Sequence, residues 1–166
     1  MGSGKSTIAR IIHDLYGNEI YSLGFKIHKE CELHGTGRRE ELQQYGQMMR
    51  HIFGDNVWCN YLLDRAKNAF EMQRGIVIDD ARQLNEYDYF IKLGFLPVAV
   101  IADEDIRLNR LKNRVNYEVK KQSEQHETEV QARQNIKRCN IQIVNNINNI
   151  DRLTKQVKGK LDKYFI

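Results

Sequence analysis

An open α/β fold, with helices on both faces of a mostly parallel sheet, follows from three features of this 166-residue sequence. Short apolar runs alternate with stretches of helical periodicity, the order that builds parallel sheets through helical crossovers. Two of those runs, over residues 75–80 (GIVIDD) and 97–102 (PVAVIA), are apolar without alternation in their middles, as strands covered on both faces are. A glycine-rich hexapeptide, Gly2-Ser3-Gly4-Lys5-Ser6-Thr7, leads directly into an amphipathic stretch.

Taken in order, residues 6–16 predict a helix, with Ile8, Ile11, Ile12 and Leu15 on one stripe and Gly17 as its stop. Residues 19–23 read as a short strand ended by Gly24. A weakly helical stretch over 25–33 then runs into the loop His34-Gly35-Thr36-Gly37. Leu42, Tyr45, Met49 and Ile52 recur at spacings of three and four, which predicts a helix over 39–53, broken by Gly54-Asp55-Asn56. A second long helix is expected over 57–73, with Trp58, Tyr61, Leu62, Ala66 and Ala69 inward. After the strand at 75–80, Leu84, Tyr87 and Ile91 mark a helix closed by Gly94. The next strand begins at Pro97, where a missing ladder donor is tolerated. Asp103, Glu104 and Asp105 favour a helix N-terminus, and Ile106, Leu108 and Leu111 carry that helix onward. Residues 141–144 form the last strand, and Ile150, Leu153, Val157 and Leu161 stripe a C-terminal helix.

The whole chain, 1–166, reads as a single domain. Residues 115–138 hold many charges and few apolar anchors, so they read as a lid-like segment; a solvated insertion has the same composition. No apolar run approaches the roughly 18 residues that span a bilayer, and no signal peptide precedes the first helix, so a cytoplasmic protein without membrane contact is expected. Cys31, Cys59 and Cys139 are odd in number and far apart, which argues against a disulfide framework or a zinc site. The net charge of +4 comes from dispersed basic residues rather than one tract. That favours a pocket for a polyanionic small molecule over a nucleic-acid surface, and fixes no oligomeric state.

The hexapeptide carries the chemistry. Its Gly4-Lys5-Ser6 matches the end of the phosphate-binding pattern G-x-x-x-x-G-K-[ST]. Glycines let backbone N–H groups approach phosphate oxygens, and the helix N-terminus that follows favours negative charge. Gly2, Ser3, Gly4, Lys5, Ser6 and Thr7 are therefore the expected ATP-binding residues. Lys5 would reach the β- and γ-phosphates, and the Ser6 hydroxyl would complete a Mg²⁺ shell. A flexible Gly-Ser terminus is the competing explanation, and the amphipathic helix starting at the serine counts against it. The first glycine of the full pattern, and the strand that feeds such a loop, would fall before Met1. The first strand is thus expected to be missing here, with the native start further upstream.

Asp79 and Asp80 end a buried strand, where one of them would face Mg²⁺ or its waters; two ordinary acids at a strand exit look the same. Arg82 suits an acceptor phosphate through its planar fork, or is a surface arginine opening a loop. Arg39 and Arg50 flank the helix after the glycine-rich loop and are candidates for binding the acceptor substrate, or could instead pair carboxylates. Arg110 and Arg114 lie one turn apart, so they share a helix face, either over transferring phosphate or simply in solvent.

The pattern Arg39-x-x-Leu42-Gln43-x-x-Gly46, with Arg50, Phe53-Gly54 and Trp58, resembles the deoxynucleoside monophosphate kinases of phages and bacteria. So do Val77-Ile78-Asp79-Asp80-Ala81-Arg82 with Asn85-Glu86, the stretch His126-Glu127-Thr128-Glu129, and Asn145-Asn146 ahead of Leu153 and Val157. The wider resemblance is to adenylate kinase and dephospho-CoA kinase relatives. It implies a P-loop NTPase fold, three layers α/β/α around a five-stranded parallel sheet, with ATP and Mg²⁺ as donor and cofactor. It also implies Arg39 and Arg82 near a small phosphorylated acceptor, and Lys5, Asp80, Arg110 and Arg114 as catalytic groups. Three functions fit: a nucleoside or deoxynucleoside monophosphate kinase, a dephospho-CoA kinase, and a nucleotide-binding protein without turnover.

Overall fold

A computed structural model describes residues 2–35, 38–113, 127–147 and 149–165. In chain order the described elements are α1 (Lys5–Tyr16), β1 (Glu19–Tyr21), α2 (Gly24–Leu33), α3 (Arg39–Phe53), α4 (Val57–Arg65), α5 (Lys67–Glu71) and β2 (Ile76–Ile78). There follow α6 (Leu84–Lys92), β3 (Val98–Ile101), α7 (Glu104–Lys112), α8 (Glu127–Arg138), β4 (Ile141–Val144), α9 (Ile150–Leu161) and a 3-10 turn at Asp162–Tyr164. The α/β class and the parallel sense are as expected. Four strands are described, the number expected with the first of five missing; they pair two by two, β1 with β2 and β3 with β4, and a five-stranded sheet does not form among the described residues.

Contacts gather into two compact units, Asn18–Ala81 and a second one built from Met1–Gly17 with Arg82–Ile166. In the first, Ile20 stands opposite Val77 and Tyr21 opposite Ile78. Its core is Leu23, Cys31, Trp58, Cys59, Leu62, Ala66 and Ala69, with α2 against α3 and α3 against α4. Trp58 is 2% exposed, and its indole N–H donates to the Gly46 carbonyl at 3.1 Å, so it is a packing residue with its one polar atom satisfied. The long helix expected over 57–73 is two pieces that break at Ala66. The second piece ends two residues early, because Gln73 takes the left-handed conformation (φ 55) that a helix stop needs. Arg74 N–H then bonds Ala69 O at 2.8 Å and Gln73 N–H bonds Phe70 O at 2.9 Å, closing the last turn.

In the other unit α1 buries Ile8, Ala9, Ile11 and Ile12 and packs against α9, which contributes Leu153, Val157 and Leu161. Ala99 and Val100 of β3 and Ile143 of β4 are buried beside them in the same unit. Of the segment 115–138, residues 115–126 lie outside the described residues. The remainder belongs to α8, which packs on α6 and β3. Its Gln131 accepts from Leu84 N–H at 2.9 Å, and its Asn135 donates to the Arg82 and Gln83 carbonyls at 3.1 and 3.0 Å. Cys31, Cys59 and Cys139 are buried free thiols.

Candidate functional site

The glycine-rich loop opens α1 as its sequence requires. Gly4 is the N-cap, at φ 91, and its carbonyl accepts from Thr7 and Ile8 N–H, both at 3.1 Å. Gly2 is also left-handed, at φ 75. Both positions are closely walled. A Cβ on Gly2 would stand 2.8 Å from Arg107 O, and one on Gly4 only 2.2 Å from Asn145 Nδ2. Glycine is thus demanded twice over at each, by conformation and by contact. Lys5, half-buried, is the first helical residue, with Ser6 and Thr7 exposed beside it and no acid in the first turn. The positive end of a twelve-residue helix is therefore open to an anion.

Two residues far along the chain complete this cradle. Asn145, at the end of β4, donates from Nδ2 to Ser3 O at 2.8 Å and accepts at Oδ1 from Arg110 Nη2 at 3.3 Å. Arg110 Nη1 is shielded from solvent and has no hydrogen-bond partner among the described residues. A buried guanidinium N–H without an acceptor is costly, and a phosphate oxygen is the acceptor its geometry suits. The left-handed glycine loop opening a helix and this unpartnered guanidinium N–H both fit a polyphosphate. The structure thus brings Gly2–Thr7 and Arg110 together; Arg114 lies outside the described residues. Sequence reasoning took Asn145 as part of a strand-end resemblance and missed its contact with the loop. A polar residue closing a buried strand was the available signal.

Asp80 has work of its own. Its Oδ2 accepts from Ser22 Oγ at 2.6 Å and Gly24 N–H at 2.8 Å, and its Oδ1 from Leu23 N–H at 2.7 Å. It therefore caps α2 from across the β1–β2 pair, a role the sequence did not suggest. A carboxylate offers about four lone-pair positions, so three donors leave about one for a metal ion or its water. Asp79 ends the same strand, and its N–H donates to Tyr21 O at 3.3 Å. Among the described residues no three His, Cys, Asp or Glu side chains cluster tightly enough to hold a metal. A cation carried by phosphates needs only one or two protein ligands.

Of the acceptor candidates, Arg82 sits in a tightly held turn. Its N–H donates to Glu86 Oε2 at 2.8 Å and its carbonyl accepts from Asn135. Glu86 is 3% exposed and takes a second N–H, that of Gln83, at 2.9 Å. The backbone at Arg82 is thus fixed from both sides. Arg50 lies on α3 and folds back on its own helix, with Nη1 donating to Gly46 O at 3.1 Å and to Gln47 Oε1 at 3.4 Å. Arg39 opens α3, and its side chain lies outside what is described.

Residues 1–132 match the AAA domain family. The chain belongs to the AAA domain family. A P-loop, which binds nucleotide phosphates, is what this family brings, and the cradle around Gly2 and Gly4 lies inside the matched span of this AAA domain. A protein of Aeropyrum pernix named UPF0200 protein is 28% identical over 116 residues, covering 68% of this chain. The chain spans 60% of that relative's length. No helix of the AAA domain is long and apolar enough to cross a membrane, among the described residues.

Proposed function

We propose that this protein binds ATP and transfers its γ-phosphoryl group, in line, to a nucleoside or deoxynucleoside monophosphate. The observation that carries the reading is the cradle: two left-handed glycines fitted against Arg107 and Asn145, opening into a helix that begins Lys5-Ser6-Thr7. Backbone N–H groups and the helix dipole hold the β- and γ-phosphates, and Lys5 adds a positive charge. Arg110 supplies a charge that Asn145 already holds in place, so it needs little reorganisation as negative charge shifts during transfer. Arg114, four residues on in the sequence, is assigned the same task. Phosphoryl transfer asks for positioning and neutralisation more than for covalent chemistry, and these residues offer that. Mg²⁺, when bound, neutralises the phosphate oxygens, with Ser6, Asp79 and Asp80 as its candidate protein ligands. Arg39, Arg50 and Arg82 are assigned to the acceptor phosphate, Arg82 with the support of its immobilised turn.

A coupled assay of ADP release over a panel of nucleoside monophosphates, their deoxy forms and dephospho-CoA tests the reading. Turnover that depends on one or a few monophosphates is expected. Stimulation by dephospho-CoA alone would move the acceptor to a ribose hydroxyl. ATP binding without release of ADP for any acceptor would leave a binding protein instead. Within an active enzyme, Arg82→Ala should raise the KM for the acceptor about tenfold or more with little change in that for ATP, since a charge-assisted hydrogen bond is lost on one substrate only. Equal effects on both substrates would make Arg82 structural.

A further inference from the structure

Asn145 is 5% exposed and polar, and both polar atoms of its side chain bond within the donor cradle. Its backbone N–H donates to Ile101 O at 2.7 Å, continuing the β3–β4 ladder by one rung and fixing where the side chain starts. From there Nδ2 reaches Ser3 O and Oδ1 meets Arg110 Nη2. The Ser3 bond is the firm one at 2.8 Å, and Arg110 is held more loosely at 3.3 Å. Ser3 is itself 7% exposed, so its carbonyl has no easy alternative partner in water.

We propose that Asn145 is the positioning residue of the donor site, orienting the phosphate loop through Ser3 and Arg110 through its other amide atom. The proposal rests on the ATP-binding reading above. Its physical basis is peptide geometry. In a planar trans peptide the carbonyl of one residue and the N–H of the next point in opposite directions. Holding Ser3 O toward Asn145 turns Gly4 N–H away from Asn145, to the side on which an anion can be met. An amide suits this place because it donates from one atom and accepts at the other. Aspartate keeps the acceptor for Arg110 but sets a carboxylate oxygen against Ser3 O, which undoes the loop's orientation while strengthening the tie to the arginine.

Two variants separate the two halves of the claim. Asn145→Asp should weaken MgATP binding, measured by calorimetry on the whole chain, about tenfold or more, with the KM for the acceptor unchanged and the melting temperature lowered by the carboxylate set against Ser3 O. Arg110→Ala leaves the Ser3 bond in place, so it should lower kcat roughly 10²-fold with a much smaller effect on MgATP affinity. Wild-type MgATP affinity in Asn145→Asp would overturn the positioning role, as would losses of ATP and acceptor affinity in equal proportion. Should Asn145→Asp fail to fold, Arg110→Ala still decides: a loss confined to MgATP affinity would overturn the split. Absence of MgATP binding by the wild-type chain would overturn the ATP reading itself, a result distinct from any change between variants.

Discussion

Gly4 and Asn145 share a space with no room for a methyl group. A Cβ at Gly4 would come within 2.2 Å of an amide nitrogen that is itself held on Ser3 O, and the backbone at φ 91 resists any L side chain. Gly4→Ala is therefore expected to abolish detectable MgATP binding and to lower the melting temperature, since overpacking and left-handed strain each cost about 1 kcal/mol or more. A variant with unchanged affinity would show that the loop's shape does not matter. Lys5→Ala, by contrast, removes charge without strain; it should cut kcat by roughly 10²-fold or more and leave stability near wild type. Near-normal turnover would remove the P-loop assignment. The loop residues were legible because their chemistry is local, six consecutive positions followed by a helical stripe. Asn145 stood out only as a polar residue closing a buried strand; its partner Ser3 is 142 residues away in the chain, and the pairing itself is written in neither neighbourhood.

Helix α2 begins without a capping side chain of its own and borrows Asp80 from the end of β2. This accounts for how a stretch that reads as weakly helical forms a ten-residue helix. Asp80→Ala should cost about 0.5–2 kcal/mol in denaturant unfolding without any ligand present. Stability equal to wild type would assign the carboxylate to ligand chemistry alone. At the far end of α1, Tyr16 donates to Asp162 Oδ1 at 2.6 Å and its ring stacks on Phe165 with centroids 4.1 Å apart. Burial first, then the hydrogen bond and charge of Asp162, push its hydroxyl from 10.0 up to about 12. The unfolded chain releases that proton nearer its ordinary value while the folded chain keeps it, so rising pH favours unfolding between the two. The stabilising contribution is whole below about pH 10 and is lost as pH climbs through about 12. Tyr21, Tyr45 and Tyr87 shift in the same direction, so the informative quantity is a difference. Wild type should lose more stability over that range than Tyr16→Phe, and parallel curves would show the bond contributes nothing. Apolar periodicity marked the helices well, yet it ran straight through Ala66 where α4 and α5 part, because a break needs no change in which residues face inward.

At the scale of the molecule, the parallel sense of the strands could be read from runs such as 75–80 and 97–102, while their association could not. Partners like Val100 and Ile143 are brought together by crossovers, and strand order is not written in either run. What the structure adds is a division of residues. Gly2–Thr7, Arg110 and Asn145, all assigned to the donor, belong to the unit made from both chain ends, as does Arg82, assigned to the acceptor; Arg39 and Arg50, also assigned to the acceptor, belong to the unit Asn18–Ala81. Ligands that bind the folded form stabilise the segments whose opening would release them. A non-hydrolysable ATP analogue with Mg²⁺ should therefore slow amide hydrogen exchange in residues 2–9, 104–111 and 143–146, and leave 39–53 close to its ligand-free rate. Adding the monophosphate that supports turnover should then slow 39–53, together with the turn at 82–86. Equal protection of 39–53 by the analogue alone would overturn this division of donor and acceptor residues. Protection confined to 2–9 and its partners whatever acceptor is added would remove Arg39 and Arg50 from the acceptor site, and unchanged exchange with both ligands would remove nucleotide binding altogether.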